Sequence, residues 1–195
     1  MLLAVKSDRA TLNAGRQALD QGNYGAAVME LLPLARKGNS SAQYYIAWMI
    51  HQGKGLPENN TAALAWARKA AAQGNADAEA LIGLLYAQGQ GVSRDDVEAA
   101  RWFQRAGSRG NWSGQMKTGM CHMCGLGLPL DYLKAYMWFE LAVAHSTGHD
   151  QVLNRHLRDV VAAMQLTPEQ IAEAERLARN WKPQKPPGSN SPRPA

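Results

Sequence analysis

The 195-residue sequence predicts an all-α solenoid of 36-residue helix-pair repeats, closed by a two-helix C-terminal cap. Three observations carry that prediction. Trp66, Trp102 and Trp138 stand 36 residues apart. Glycines recur in the same register, as Gly38, Gly74 and Gly110, as Gly53, Gly89 and Gly125, and as Gly55, Gly91 and Gly127. Ala27, Ala63, Ala99 and Ala135 keep step with them, as do Asn59, Asp95 and Asp131. A fixed period of this size means stacked units, none of which buries its apolar face alone. Such arrays usually bind other molecules instead of transforming them.

The central unit, 78–110, shows how each repeat is built. Leu81, Ile82, Leu85 and Tyr86 follow the i, i+3, i+4 spacing of one helix face. Gly89 and Gly91 suit the positive-φ turn that ends a helix. Asp95 is a natural N-cap for the second helix, with Glu98 placed three residues on as in a capping box. Ala99, Trp102, Phe103 and Ala106 then share a face, and the unit ends near Gly110. The small alanines let the two helices approach closely, while Trp102 fills the space between neighbouring pairs.

The same pattern covers 42–74 and 114–146, preceded by an N-terminal segment, 1–7, and a partial unit over about 8–38. In that first unit Glu30 replaces the tryptophan, as expected for a terminal repeat, and Pro33 is expected to kink or shorten its second helix. After the third unit the pattern stops. Residues 151–164 read as one more helix, and Thr167-Pro-Glu-Gln170 starts a last helix whose stripe is Ile171, Ala174, Leu177, Ala178 and Trp181. These form the expected cap, 149–181. Five prolines in 182–195 predict a disordered tail.

The central unit, with Ala78, Ile82, Tyr86, Gly89, Gly91, Asp95, Ala99 and Trp102 in register, resembles the Sel-one-like repeat, a relative of the tetratricopeptide repeat. The resemblance covers three full units and a partial one. It implies a right-handed α-α superhelix and a bacterial adaptor binding proteins or peptides, of a kind found in envelope complexes, host interaction or toxin–immunity pairing. His122 and Gly114 depart from the pattern, so looser packing is expected in the third unit.

In the related superhelices the first helix of each pair lines the concave surface. Carried over, this places Leu84 there with Tyr44, Trp48 and His51 on one side and Met116, Met120 and Met123 on the other. An apolar lining with an aromatic end and a methionine end predicts a groove for an amphipathic helix or an extended apolar peptide. The competing expectation is that these residues pack under the N-terminal unit or the C-terminal helices.

Cys121, His122 and Cys124 raise an alternative, metal-binding or redox-sensing, because thiolate and imidazole suit Zn or Cu(I). No second ligand pair accompanies them, and Cys121 and His122 fall on core positions of the repeat. His145, His149 and His156 read as solvated surface. No Ser/His/Asp or Cys/His arrangement is legible, so the expectation is a non-enzyme without cofactor.

The formal charge of +5 includes +3 from Lys182, Lys185 and Arg193, leaving 18 basic and 16 acidic side chains in 1–181. That balance argues against a nucleic-acid partner. No stretch reaches the roughly 20 apolar residues of a membrane span. As written the chain reads as cytoplasmic, or as exported if a signal segment precedes it. Partner identity and oligomeric state stay open at this level.

Overall fold

The computed structural model describes residues 7–185, which contain ten helices and, among those residues, no strand. α1 (Asp8–Asp20) pairs with α2 (Tyr24–Arg36), α3 (Ser40–His51) with α4 (Asn60–Ala72), α5 (Ala76–Gln88) with α6 (Asp96–Ser108), and α7 (Trp112–Cys124) with α8 (Tyr132–His145). α9 (Gly148–Gln165) and α10 (Pro168–Asn180) follow. Each pair packs on the next to form one continuous array. α2 continues through Pro33 to Arg36, as long as α4 or α6, so the proline does not shorten it.

Helix starts are set by side-chain caps. Asn59, Asp95 and Asp131 accept from the first-turn N–H groups of α4, α6 and α8, as their spacing suggested. Asn39, Asn75 and Asn111 do the same for α3, α5 and α7, bonding the N–H of Ala42, Ala78 and Gly114. These caps move the odd-numbered helices to starts at 40, 76 and 112, two residues before the unit boundaries read from sequence. The capping box expected at Asp95 does not close: the Asp95 N–H donates to Tyr86 O, and Glu98 pairs with Arg101. The box at Thr167 is reciprocal, with Gln170 returning the bond.

The second glycine of each inter-helix turn joins one unit to the unit before it. Gly55 lies against Tyr24, Gly91 against Asn60 and Gly127 against Asp96, each the first residue of the preceding unit's second helix. A Cβ on Gly91 or Gly127 would fall inside that backbone. Inside the pairs, side-chain sizes compensate. Gly83 faces Phe103 and Gly119 faces Phe139, with room for no further carbon, whereas the same register holds fully buried Ala47 and Ala67 one unit earlier. Gly114 is likewise filled, since its Cβ would stand 2.6 Å from that of Ala106. The looser packing expected there is absent.

A polar ladder runs through the apolar core at one register. Gln43 donates to Ala35 O at 3.1 Å and Gln115 to Gly107 O at 3.2 Å, each bond holding a unit to its predecessor. Gln73 donates to Gln43 and His145 Nδ1 meets the Gln115 carbonyl oxygen, closing each pair at its far end. In the middle unit the two positions are Glu79 and Arg109. Glu79 is fully buried, its Oε2 3.0 Å from Arg109 Nε and its Oε1 2.9 Å from Arg105. His145 also bonds Leu141 O and packs edge-on to Trp181, so it is engaged in structure and not simply solvated.

The register outlasts the glycine pattern. Gln151 donates to Val143 O, repeating the bond of Gln115, and α10 starts 36 residues after α8. Val161 and Ala163 stand where the turn glycines would be, and α9 runs on to Gln165. α10 then packs against α8, where Ala178 and Trp181 cover Trp138. Trp66 and Trp102 are topped instead by Lys69 and Arg105, 4.6 and 4.2 Å above their rings. Beyond α10, Gln184 N donates to Ser108 O at 2.7 Å and Arg109 donates to Lys185 O at 3.0 Å. Residues 182–185, expected in a disordered tail, are thus held against the end of α6. Residues 186–195 lie outside the described part.

Two substitution pairs test these contacts by denaturant unfolding. Gly91→Ala meets both a positive φ of +71° and the Asn60 backbone, and is expected to cost about 3 kcal/mol or more. Gly53→Ala meets a similar φ without the clash, and about 1–2 kcal/mol is expected. Glu79→Ala, which strands Arg109, is expected to cost about 3–5 kcal/mol. Glu79→Gln supplies the amide that Gln43 and Gln115 use, and the expected loss is less than roughly half of that.

Candidate binding groove

Curvature decides which face is available. α3 touches α5 and α5 touches α7 across units, while α4 and α6, or α6 and α8, do not approach as closely. The odd-numbered helices therefore line the inner side of the array. Two adjoining clefts open along α5 and α7. The first, of about 280 Å³, has Tyr44, Trp48, Ala80, Leu84 and Trp112 as walls and Asp77 at its rim. The second, of about 210 Å³, is more apolar and is lined by Leu84, Ala87, Ala99, Phe103, Met120 and Leu126. Leu84, Phe103 and Lys117 belong to both.

The residues singled out in the sequence divide among three places. Tyr44, Trp48 and Leu84 come together in the first cleft, and Leu84 meets Met120 in the second. Met116, Met120 and Met123 are all half-buried against the cluster of Tyr136, Phe139 and Val161, under α8 and α9, and of the three only Met120 also lines one of these two clefts. His51 lines neither cleft, and its Nδ1 lies 2.7 Å from Asn60 Oδ1. Asp77, Trp112 and Lys117 were missed. Trp112 had left a trace, because Ser40 and Ala76 hold its register in the other units.

Asp77 sets the electrostatics of the first cleft. Crowding by the groove walls pushes its carboxyl above the usual range, against the pull of Asn111 and Arg16. Asn111 Nδ2 donates to Asp77 Oδ1 at 2.7 Å. The Tyr44 phenol is pushed upward by burial, then by Asp77 and Tyr45. Lys54 Nζ lies 5.0 Å from the Trp48 ring centroid, covering one face of that ring. Each cleft falls below the ~300–1,000 Å³ typical of small-molecule pockets.

Cys121 packs with Ala99, Ala100 and Phe103, and burial pushes its thiol up to about 11, helped by Cys124 and Asp96 against Lys117. Cys124 is exposed at the end of α7. His122 is buried, with Nδ1 3.1 Å from Pro129 O and Nε2 without a partner. Among the described residues, no three His, Cys, Asp or Glu side chains are grouped to hold a metal ion. No described helix is long and apolar enough to cross a membrane. In the folded protein at pH 8, a chromogenic disulfide reagent should titrate Cys124 rapidly, and Cys121 only after denaturant is added. Two fast thiols would contradict this burial.

The sequence and fold were compared with known proteins. The model of the Sel1 repeat matches residues 40–75, 76–111 and 112–146. No curated protein matches the chain. Among solved structures, a Sel1 repeat protein from Oxalobacter formigenes is similar with a TM-score of 0.68 and 26% identity, over 86% of this chain and 69% of that one. A protective antigen of uropathogenic Escherichia coli strains displaying an SLR fold is similar with a TM-score of 0.60 and 27% identity, over 90% of this chain and 45% of that one. With consecutive matches over more than half of its length, the chain belongs to the Sel1 repeat family.

Proposed function

We propose that this protein is a non-enzymatic scaffold that takes a segment of a partner protein or peptide on its inner face. Sel1 repeat proteins generally mediate protein–protein interaction, and their fold is typically a scaffold without catalytic activity. The observation that supports a location is the run of two clefts sharing Leu84, Phe103 and Lys117. One is aromatic with an acid at the rim, and the other is apolar. Neighbouring side-chain pockets of different character are what an extended or helical peptide needs for register as well as affinity. Tyr44, Trp48, Leu84 and Met120 are the contact residues in this reading. Met116, Met123 and His51 act behind them, through packing and through the bond to Asn60.

Filling the clefts tests the reading without removing core. Ala80 lines the first cleft and Ala87 the second, both half-buried on α5. Ala80→Arg and Ala87→Arg are each expected to weaken binding of the affinity-purified partner at least about tenfold, a loss of ~1.4 kcal/mol, with thermal unfolding nearly unchanged. Arg101→Ala, on an exposed face of α6, should leave binding intact. Unaltered partner binding by both filled variants would place the interface elsewhere.

A further inference from the structure

The described chain ends at the junction of α6 and α7, the edge of the array from which the first residues of α7 reach the first cleft, with Gln184 itself on the outer side beside Arg105 and Trp138. Lys185 O is held by Arg109, whose guanidinium also binds Glu79. Glu79 is two residues from Asp77, and Asp77 is bonded by Asn111, two residues after Arg109. Trp181 and Pro183 lie beside Gly110, next to the residues that begin α7 and line the cleft. The strap formed by 181–185 therefore ends at the edge of the array where α7 begins, next to Asn111 and Trp112 of the cleft.

Those residues, 186–195, read Pro-Pro-Gly-Ser-Asn-Ser-Pro-Arg-Pro-Ala. Arg193 is their one charged side chain, and prolines flank it on both sides. The cleft offers the complement. Asp77 stands at the rim, with Tyr44, Trp48 and Trp112 as walls, and Lys117 sits at the other end, where the second cleft begins. Aromatic walls accept proline rings and guanidinium faces, and a carboxylate crowded by protein gains from a nearby cation. Arg193 lies eight positions beyond Lys185, a reach of about 25 Å for an extended polyproline-like chain.

We propose that the chain's own segment 186–195 occupies the first cleft, with Arg193 at Asp77 and Pro192 and Pro194 on the aromatic walls. Resting on the groove reading above, this makes the segment an internal competitor that a partner must displace. A tether this short gives an effective concentration in the millimolar range, so even a weak contact suffices to hold it.

Indole N–H NMR signals of the six tryptophans test the proposal, comparing the full chain with a chain ending at Lys185. Trp48 and Trp112 signals should differ between the two, while Trp66, Trp102 and Trp138 report an unchanged array. Arg193→Glu and Asp77→Asn in the full chain should each move the Trp48 and Trp112 signals toward those of the shortened chain. A synthetic peptide of sequence 186–195 should bind the shortened chain at least about fivefold more tightly than the full chain. The differences should persist on dilution, whereas their loss would assign the contact to a second copy and overturn the proposal. Identical Trp48 and Trp112 signals in the two chains would also overturn it. If that occurs while Ala80→Arg still abolishes partner binding, the groove stands without its internal occupant. Partner binding that survives both filled variants removes the groove itself, whatever the tryptophans show.

Discussion

The array depends on a contact that uses no side chain. Gly55, Gly91 and Gly127 each place a bare Cα against the first residue of the preceding unit's second helix. Backbone meets backbone there, so the distance between units cannot be tuned by rotamers, and any Cβ forces the units apart. The spacing of the helices, the depth of the tryptophans and the curvature of the inner face all follow from that approach. It also explains why the turn carries two glycines. The first terminates a helix, and the second is the docking point for the neighbouring unit.

Around that contact the core tolerates compensated variation. Ala47 with Ala67, Gly83 with Phe103 and Gly119 with Phe139 fill one register with different shapes. The polar ladder varies in the same way, as Gln43 with Gln73, Glu79 with Arg109 and Gln115 with His145. A buried ion pair is an expensive substitute for an amide pair unless every lone pair is met. Arg105 and Arg109 meet both Glu79 oxygens, and Arg109 additionally grips Lys185, so the ionic rung is hydrogen-bonded to the C-terminal strap, which the Gln115–His145 rung touches through Trp181. α10 and that strap close the convex side over Trp138, where the earlier units rely on Lys69 and Arg105 to shield their indoles.

The inner face is where units differ without compensation. Tyr44, Ala80 and Met116 share a register, as do Trp48, Leu84 and Met120, and as do Ser40, Ala76 and Trp112. A large residue beside a small one leaves a cleft, and two clefts in succession leave a groove. The groove is therefore a by-product of breaking the repeat on a scaffold whose glycines hold the repeat constant.

Periodicity alone determined the class of fold, the helix pairs and the family, because a 36-residue register of Gly, Ala and Trp admits few other structures. It also located Tyr44, Trp48 and Leu84, since outward positions on a helix follow from its pitch. What the pitch does not encode is which neighbour covers an outward position. Met116, Met120 and Met123 needed α8 and α9 in place before their burial became visible. Asp77 needed its walls, which include residues as distant in sequence as Tyr44 and Trp112, before its charge acquired meaning. Nothing in the repeat pattern marks Glu79 and Arg109, and only the packing of α5 on α6 pairs them inside the core. Local pattern sets the elements and their order. Burial, and with it the chemistry of the groove, belongs to contacts between units.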